Sequence, residues 1–185
     1  MLRPLEMAHE FLAQVVTKED TVVDATMGNG HDTLFLAKLS KQVYAFDIQK
    51  EAVAKTQARL EEAGLTNAQL ILEGHERVDQ YVDEIKAAIF NLGYLPAADK
   101  SIITQPSTTL EALEKLLARL VLGGRIAIMV YYGHEGGQAE KEAVLDFVKK
   151  LPQKEFTVVI YQTINQVNCP PFLLMIEKLK EYRHG

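Results

Sequence analysis

The stretch Thr21-Val-Val-Asp-Ala-Thr-Met-Gly-Asn-Gly-His-Asp-Thr33 decides the fold. An apolar run ending at Asp24 breaks into two glycines, Gly28 and Gly30, and the chain then takes up a helical pattern through Leu34, Phe35, Ala37 and Leu39. That is a strand, a tight turn and a helix start. Glycines let a backbone turn sharply and approach a ligand closely, and the free N–H groups of an opening helix turn face whatever sits above the strand. The outline is that of a nucleotide-type cofactor site.

Working outward, strands and helices alternate. Residues 4 to 16 space Leu5, Ala8, Phe11, Leu12 and Val15 as an amphipathic helix, which packs on the sheet edge or beside the cofactor mouth. Strands are expected at 42–47, 68–72, 85–91 and 125–131. Helices are expected at 50–63, stopped by Gly64, at Leu110 to Leu122, ended by Gly123-Gly124, and at 138–151, with a short one after Glu73-Gly74-His75-Glu76. Residues 94–107 read as a loop. Two last strands, 156–163 and 172–178, lack an intervening helix and so pair antiparallel at one edge. The fold class is α/β: a Rossmann-like, doubly wound sheet of seven mostly parallel strands with helices on both faces and an antiparallel last strand, the edge feature that separates the methyltransferase version of this sheet from the dinucleotide-dehydrogenase version. One domain spans 1–185, with residues 1–20 packing on it as an N-terminal helix.

With 185 residues and 48% hydrophobic content the chain can bury one substantial core. No apolar run reaches the roughly 18–20 residues of a membrane span, so the expected location is cytoplasmic. The lone cysteine, Cys169, excludes an internal disulfide and reads as a free buried thiol. A net charge of −5 argues against binding nucleic acid by bulk electrostatics, although Lys149, Lys150 and Lys154, and also Lys178, Lys180 and Arg183, form local clusters that otherwise read as solvated faces.

Spacing narrows the choice of cofactor, although an acid at the end of the second strand could serve either a dinucleotide or S-adenosylmethionine. A dinucleotide fingerprint needs a third glycine where Thr33 stands, so NAD loses ground to S-adenosylmethionine, which has no pyrophosphate to cradle. Asp47, ending the second strand 17 residues beyond Gly30, is placed to accept from two ribose hydroxyls, and Gln49 stands over the same crevice. His75 falls where an adenine edge would lie, or is an ordinary surface residue. Asn29 and Asp32 are spaced either as a helix cap with its reciprocal acid or as contacts to the cofactor's amino-acid end. Asp24 reads as a buried carboxylate that orients the glycine loop. The candidate cofactor set is Met27, Asn29, Gly30, Asp32, Asp47, Gln49 and His75.

Taken together, Asp24-Ala-Thr-Met-Gly-Asn-Gly-His-Asp-Thr33, Phe46-Asp-Ile-Gln49, Gly74-His-Glu76, Asn91-Leu-Gly-Tyr-Leu-Pro96 and Asn168-Cys-Pro-Pro171 resemble the YtqB-type family, long labelled rRNA methylases and also called MnmM. The likeness covers nearly the whole chain, in order. It implies a bacterial class I S-adenosylmethionine-dependent methyltransferase acting on tRNA, with the anticodon stem-loop as partner. The implied reaction is methylation of the primary amine of 5-aminomethyl-(2-thio)uridine at the wobble position.

Such chemistry needs a neutral amine held in line with the methyl carbon and shielded from water. Amino-group methyltransferases often present an acceptor, two prolines and an aromatic after the fourth strand. Asn91-Leu-Gly-Tyr94 keeps the acceptor and the aromatic and loses both prolines. Asn91 and Tyr94 are the candidates for positioning and stacking, and His134 for taking up the released proton. Tyr132 and Gly133, with Asn168 and Pro170 on the opposite lip, are the candidate substrate contacts. A homodimer would help so small a body grip a tRNA. An rRNA or small-molecule methyltransferase, and a non-catalytic cofactor-binding protein, are the rival readings.

Overall fold

A computed structural model describes residues 1–93 and 105–179 of the chain. Among them β1 (Thr21–Asp24), β2 (Gln42–Phe46), β3 (Ala68–Ile71), β4 (Ile85–Leu92), β5 (Leu120–Val130), β6 (Phe156–Tyr161) and β7 (Phe172–Lys178) form one sheet, ordered β3-β2-β1-β4-β5-β7-β6. β1 to β5 pair in parallel, and β7 is antiparallel to both β5 and β6. The expected antiparallel edge is present. Only residues 162–171 join β6 to β7, too few for the helical crossover that a parallel pair requires.

Successive residues of a strand face opposite sides, and this sorts the core into two layers. Val22, Ala87, Ile89 and Met129 join Leu12, Leu36 and Leu60 beneath α1 (Pro4–Ala13), α2 (His31–Leu39) and α3 (Lys50–Glu62). Val23, Ala88, Phe90 and Ile128 join Leu113, Leu116 and Val144 beneath α4 (Pro106–Arg119) and α5 (Gly137–Lys149), together with Val78 of a short 3-10 helix, His75–Gln80. β4 is covered on both faces, so its sequence is an almost continuous apolar run instead of an alternation.

One expectation needs correction. α4 ends at Arg119, and Gly123-Gly124 lies inside β5. Leu120 leaves the helix in an extended conformation and is buried, and the pairing with β4 jumps from Ile85–Leu120 to Ala87–Arg125, so the glycines occupy a bulge instead of a helix terminus. α1 packs on β5 and β7, and Tyr161 of the edge strand β6 donates to the Leu2 carbonyl just before it, so the helix lies toward that edge as expected. Arg125 fixes it there by donating Nη1 to the Phe11 carbonyl at 2.8 Å, with the guanidinium 4.5 Å over the Phe11 ring.

The carboxyl ends of the parallel strands open on one side of the sheet. Because Phe172 pairs with Val130, residues 162–171 stand on that side too. α2 begins there at Gly30, whose φ of 85° favours glycine and whose Cα faces α3 so closely that an added Cβ would lie 2.6 Å from Thr56 Oγ1 and 2.9 Å from Thr56 Cα. Gly30→Ala therefore combines a strained backbone with overpacking. It should lower stability by about 2–4 kcal/mol, read as a fall in melting temperature of roughly 5–15 °C by thermal denaturation.

Candidate cofactor and substrate site

The loop after β1 is tied down by backbone and carboxylate together. Ala25 N–H donates to the Ile89 carbonyl and Met27 N–H to the Phe46 carbonyl, both at 2.9 Å. Gly28 N–H donates to Asp47 Oδ2 at 3.0 Å, while Gln49 N–H donates to Asp47 Oδ1 at 2.9 Å. Each carboxylate oxygen has a second acceptor site, so Asp47 can serve the loop and two ligand hydroxyls at once. Below it Asp24 is fully buried, accepting from Thr33 Oγ1 at 2.6 Å and from Thr26 N–H at 3.2 Å. Asp24 orients the glycine loop, as its sequence context suggests. Burial, reinforced by the charge of Asp32, pushes its pKa up to about 7 despite those two hydrogen bonds.

Asn29 and Asp32 are not a cap and its reciprocal acid. The N-cap of α2 is Gly30, without a side-chain cap, and Asn29 instead offers its carbonyl to Arg59 Nε at 3.0 Å. Asp32 turns inward. Its Oδ1 lies 2.6 Å from His9 Nε2 and its Oδ2 accepts from Asn91 Nδ2 at 2.5 Å. A carboxylate only accepts, so the NH2 edge of Asn91 faces Asp32 and Oδ1 is left as the acceptor edge. His9 also stacks on Phe35, ring centroids 3.9 Å apart and planes within 6°. Reading the sequence misses His9, a lone histidine on an amphipathic helix, because only the docking of α1 brings it to Asp32.

His75 is buried and not a surface residue. Its Nδ1 lies 3.0 Å from the Ala25 carbonyl, so Nδ1 carries the hydrogen and Nε2 is an acceptor. Burial pushes the imidazole pKa down.

These elements wall a cleft of about 930 Å³. Met27, Asn29, Asp32, Asp47, Gln49 and His75 line it, as do Asn91, Tyr132, Gly133 and His134. Gly30 lies behind the lining, against α3. Asn168 and Pro170 flank the mouth, but only Cys169 between them lines it. Cys169 is exposed, which corrects the buried-thiol expectation: it belongs to a lip and not to the core. That lip touches the loop after β5, where a Cβ on Gly133 would come 3.3 Å from Cys169 Cβ. Tyr94 lies outside the described residues. Tyr132 is engaged, with Lys141 Nζ 4.0 Å over its ring and Phe172 at 5.8 Å. Leu5 also lines the cleft, which puts α1 beside the cofactor mouth as expected, and so does Tyr131. Desolvation, with the charge of Asp32 added, pushes the Tyr131 pKa up.

Residues 43–177 match the family described as "Putative rRNA methylase". The chain belongs to that family. Over 94% of its length this methylase is 38% identical to the chloroplastic tRNA (mnm5s2U34)-methyltransferase of Arabidopsis thaliana, covering 69% of that protein. Among solved structures it resembles a Streptococcus mutans protein described as a putative methyltransferase and crystallised in complex with SAH, at 58% identity and a TM-score of 0.93, covering 97% of this chain and 99% of that one. A Clostridium thermocellum structure described as a putative rRNA-methylase matches at 46% identity and a TM-score of 0.94, again over 97% and 99% of the two chains. The arrangement of the sheet is that of Rossmann-like class I methyltransferases.

In the methylase, the lysines of the first basic cluster are remote from this cleft. α5 starts against Tyr132 and carries Lys149 at its far end, roughly 20 Å away at 1.5 Å per residue, and Lys150 and Lys154 follow it. Lys178 donates to the Leu120 carbonyl at the opposite end of β7, and Lys180 and Arg183 lie outside the described residues.

The raised pKa of Asp24 sets a pH dependence. The folded state holds the proton more tightly than the unfolded chain, so from about pH 4 up to pH 7 the wild type loses stability that Asp24→Asn does not lose, and above pH 7 the difference levels off. Urea unfolding of both proteins at several pH values should show the stability difference, wild type minus variant, falling across that window. A difference that rises or stays flat contradicts the assignment.

Proposed function

We propose that this methylase transfers a methyl group from S-adenosylmethionine to the primary amine of 5-aminomethyl-(2-thio)uridine at the wobble position of tRNA, giving the methylaminomethyl base. The observation that carries the reading is the carboxylate-held amide of Asn91, whose acceptor edge shares one cleft with the glycine loop and Asp47. The 38% identical relative named for that modified nucleoside supports the substrate.

The residues fit the donor. Asp47 would take the ribose hydroxyls, His75 Nε2 the adenine amino group, and Asn29 and Asp32 the cofactor's ammonium end, with Met27 and Gln49 shaping the wall around them and Gly30 setting the turn behind it. When bound, S-adenosylmethionine supplies a methyl carbon made electrophilic by its sulfonium, so the protein's task is alignment and exclusion of water. Asn91 Oδ1 accepts an N–H of the amine and so turns the nitrogen lone pair toward that carbon. Tyr94 and Tyr132 hold the base, Gly133, Asn168 and Pro170 frame it, and His134 takes the proton that the amine sheds.

The tRNA is engaged through its anticodon stem-loop, in which a single-stranded base can be swung out of the stack. Action in the cytoplasm and a homodimeric state belong to the same reading. It accords with the finding that no described helix is long and apolar enough to cross a membrane.

Asp47→Ala should weaken S-adenosylhomocysteine binding by at least about 30-fold in calorimetry, because the buried hydroxyl partners lose charge-assisted bonds. Asn91→Ala should lower kcat by roughly 10²-fold in single-turnover methylation of tRNA. Mass spectrometry of wobble nucleosides decides the substrate: deletion of the gene should remove methylaminomethyluridine and accumulate the aminomethyl precursor. An unchanged nucleoside profile would remove the tRNA assignment, and labelled methyl appearing in rRNA would redirect it.

A further inference from the structure

Residues 162–171, Gln-Thr-Ile-Asn-Gln-Val-Asn-Cys-Pro-Pro, carry no charged side chain in a protein that has 20 Lys and Arg and 25 Asp and Glu. Near the tip of this β6–β7 loop two large apolar side chains stand in solvent, Ile164 at 95% and Val167 at 81% exposure. Isolated exposed apolar residues are ordinary, but this pair is interleaved with amides, Gln162, Asn165, Gln166 and Asn168, and is continuous with the cleft through Cys169. The return leg is held by Asn168 in the left-handed region, φ 67°, and by the consecutive prolines 170 and 171, whose φ is fixed. Pairing of Tyr161 with Leu173 and of Val130 with Phe172 sets the loop at the carboxyl ends of the strands.

We infer that this loop is a base-reading lip: Ile164 and Val167 pack against unstacked bases next to the one held in the cleft, and the neighbouring amides bond base edges. The inference rests on the tRNA reading above and identifies which surface grips the RNA. The chemistry fits single-stranded RNA, which proteins recognise through splayed base faces and through base edges that both donate and accept, as amides do. The absence of carboxylates spares the backbone phosphates repulsion from an otherwise acidic protein. At the same mouth Lys141 lies over the Tyr132 ring and supplies a cation. Contacts of this type specify position without a basic groove, in keeping with the net charge of −5.

The test uses the whole protein and an anticodon stem-loop RNA bearing 5-aminomethyluridine, with fluorescence anisotropy at several salt concentrations. Ile164→Ser combined with Val167→Ser should raise the stem-loop Kd by about 10-fold or more, from the lost apolar contact, while Ile164→Phe binds as tightly as wild type or tighter. The melting temperature, S-adenosylhomocysteine affinity and the slope of log Kd against log salt should not change, since no phosphate contact is removed. A stem-loop with abasic sites on both sides of the wobble position should weaken wild type by a similar factor and the double variant by little more.

Equal stem-loop affinity of the double variant and wild type overturns the role of the loop and leaves the tRNA reading standing. Failure of wild type to bind any stem-loop overturns both. A change of oligomeric state in sedimentation, with RNA affinity intact, assigns the surface to contact between copies of the chain and overturns the inference as well.

Discussion

One carboxylate joins three elements that are far apart in sequence. Asp32, in the first turn of α2, accepts from Asn91 at the end of β4 and lies within hydrogen-bond distance of His9 on α1. Without it the amide of Asn91 has two near-equivalent orientations; with it only one avoids setting acceptor against acceptor. The acceptor edge offered to the cleft is thus settled by one side chain, which also ties α1 to the start of α2. The glycine loop answers to the same logic, since Asp47 accepts the Gly28 and Gln49 amides and so couples β2 to the loop after β1.

Three carboxylates, Asp24, Asp32 and Asp47, therefore surround a loop whose helix begins just behind it. Burying so much acid is costly, and the pKa of Asp24, raised to about 7, expresses that cost in the protein itself. The sulfonium and ammonium of an adenosylmethionine-type donor are charges of the sign that would offset this cost, in keeping with the role proposed for Asp32 at the cofactor's ammonium end.

The proposed substrate side is built differently. Among the described residues two loops are brought edge to edge there, the loop after β5 and the uncharged loop 162–171, with Gly133 small enough to let the lip carrying Cys169 approach. The lysine cluster at the far end of α5 plays no part in that mouth. Recognition by shape and by base contact suits a single-stranded target, where the faces and edges of bases are available and duplex geometry is not.

Much of this was legible in the residues alone. The strand-glycine-helix junction at Thr21–Thr33, the acid ending β2 and the helix-free link between the last two strands depend on local backbone chemistry, and all three appear where the pattern puts them. The fate of Gly123-Gly124 was not legible, because a glycine pair ends a helix or opens a bulge according to whether the preceding leucine finds a buried place. Nor was the partnership of His9, Asp32 and Asn91, the engagement of Tyr132 by Lys141, or the exposure of Cys169. Local sequence determines which segments become strand, turn and helix, since propensity and periodicity act over a few residues. Which side chains meet in the cleft is decided by the docking of α1 on β5 and β7 and by the return of β7 beside β5, long-range packing that no short window of sequence contains.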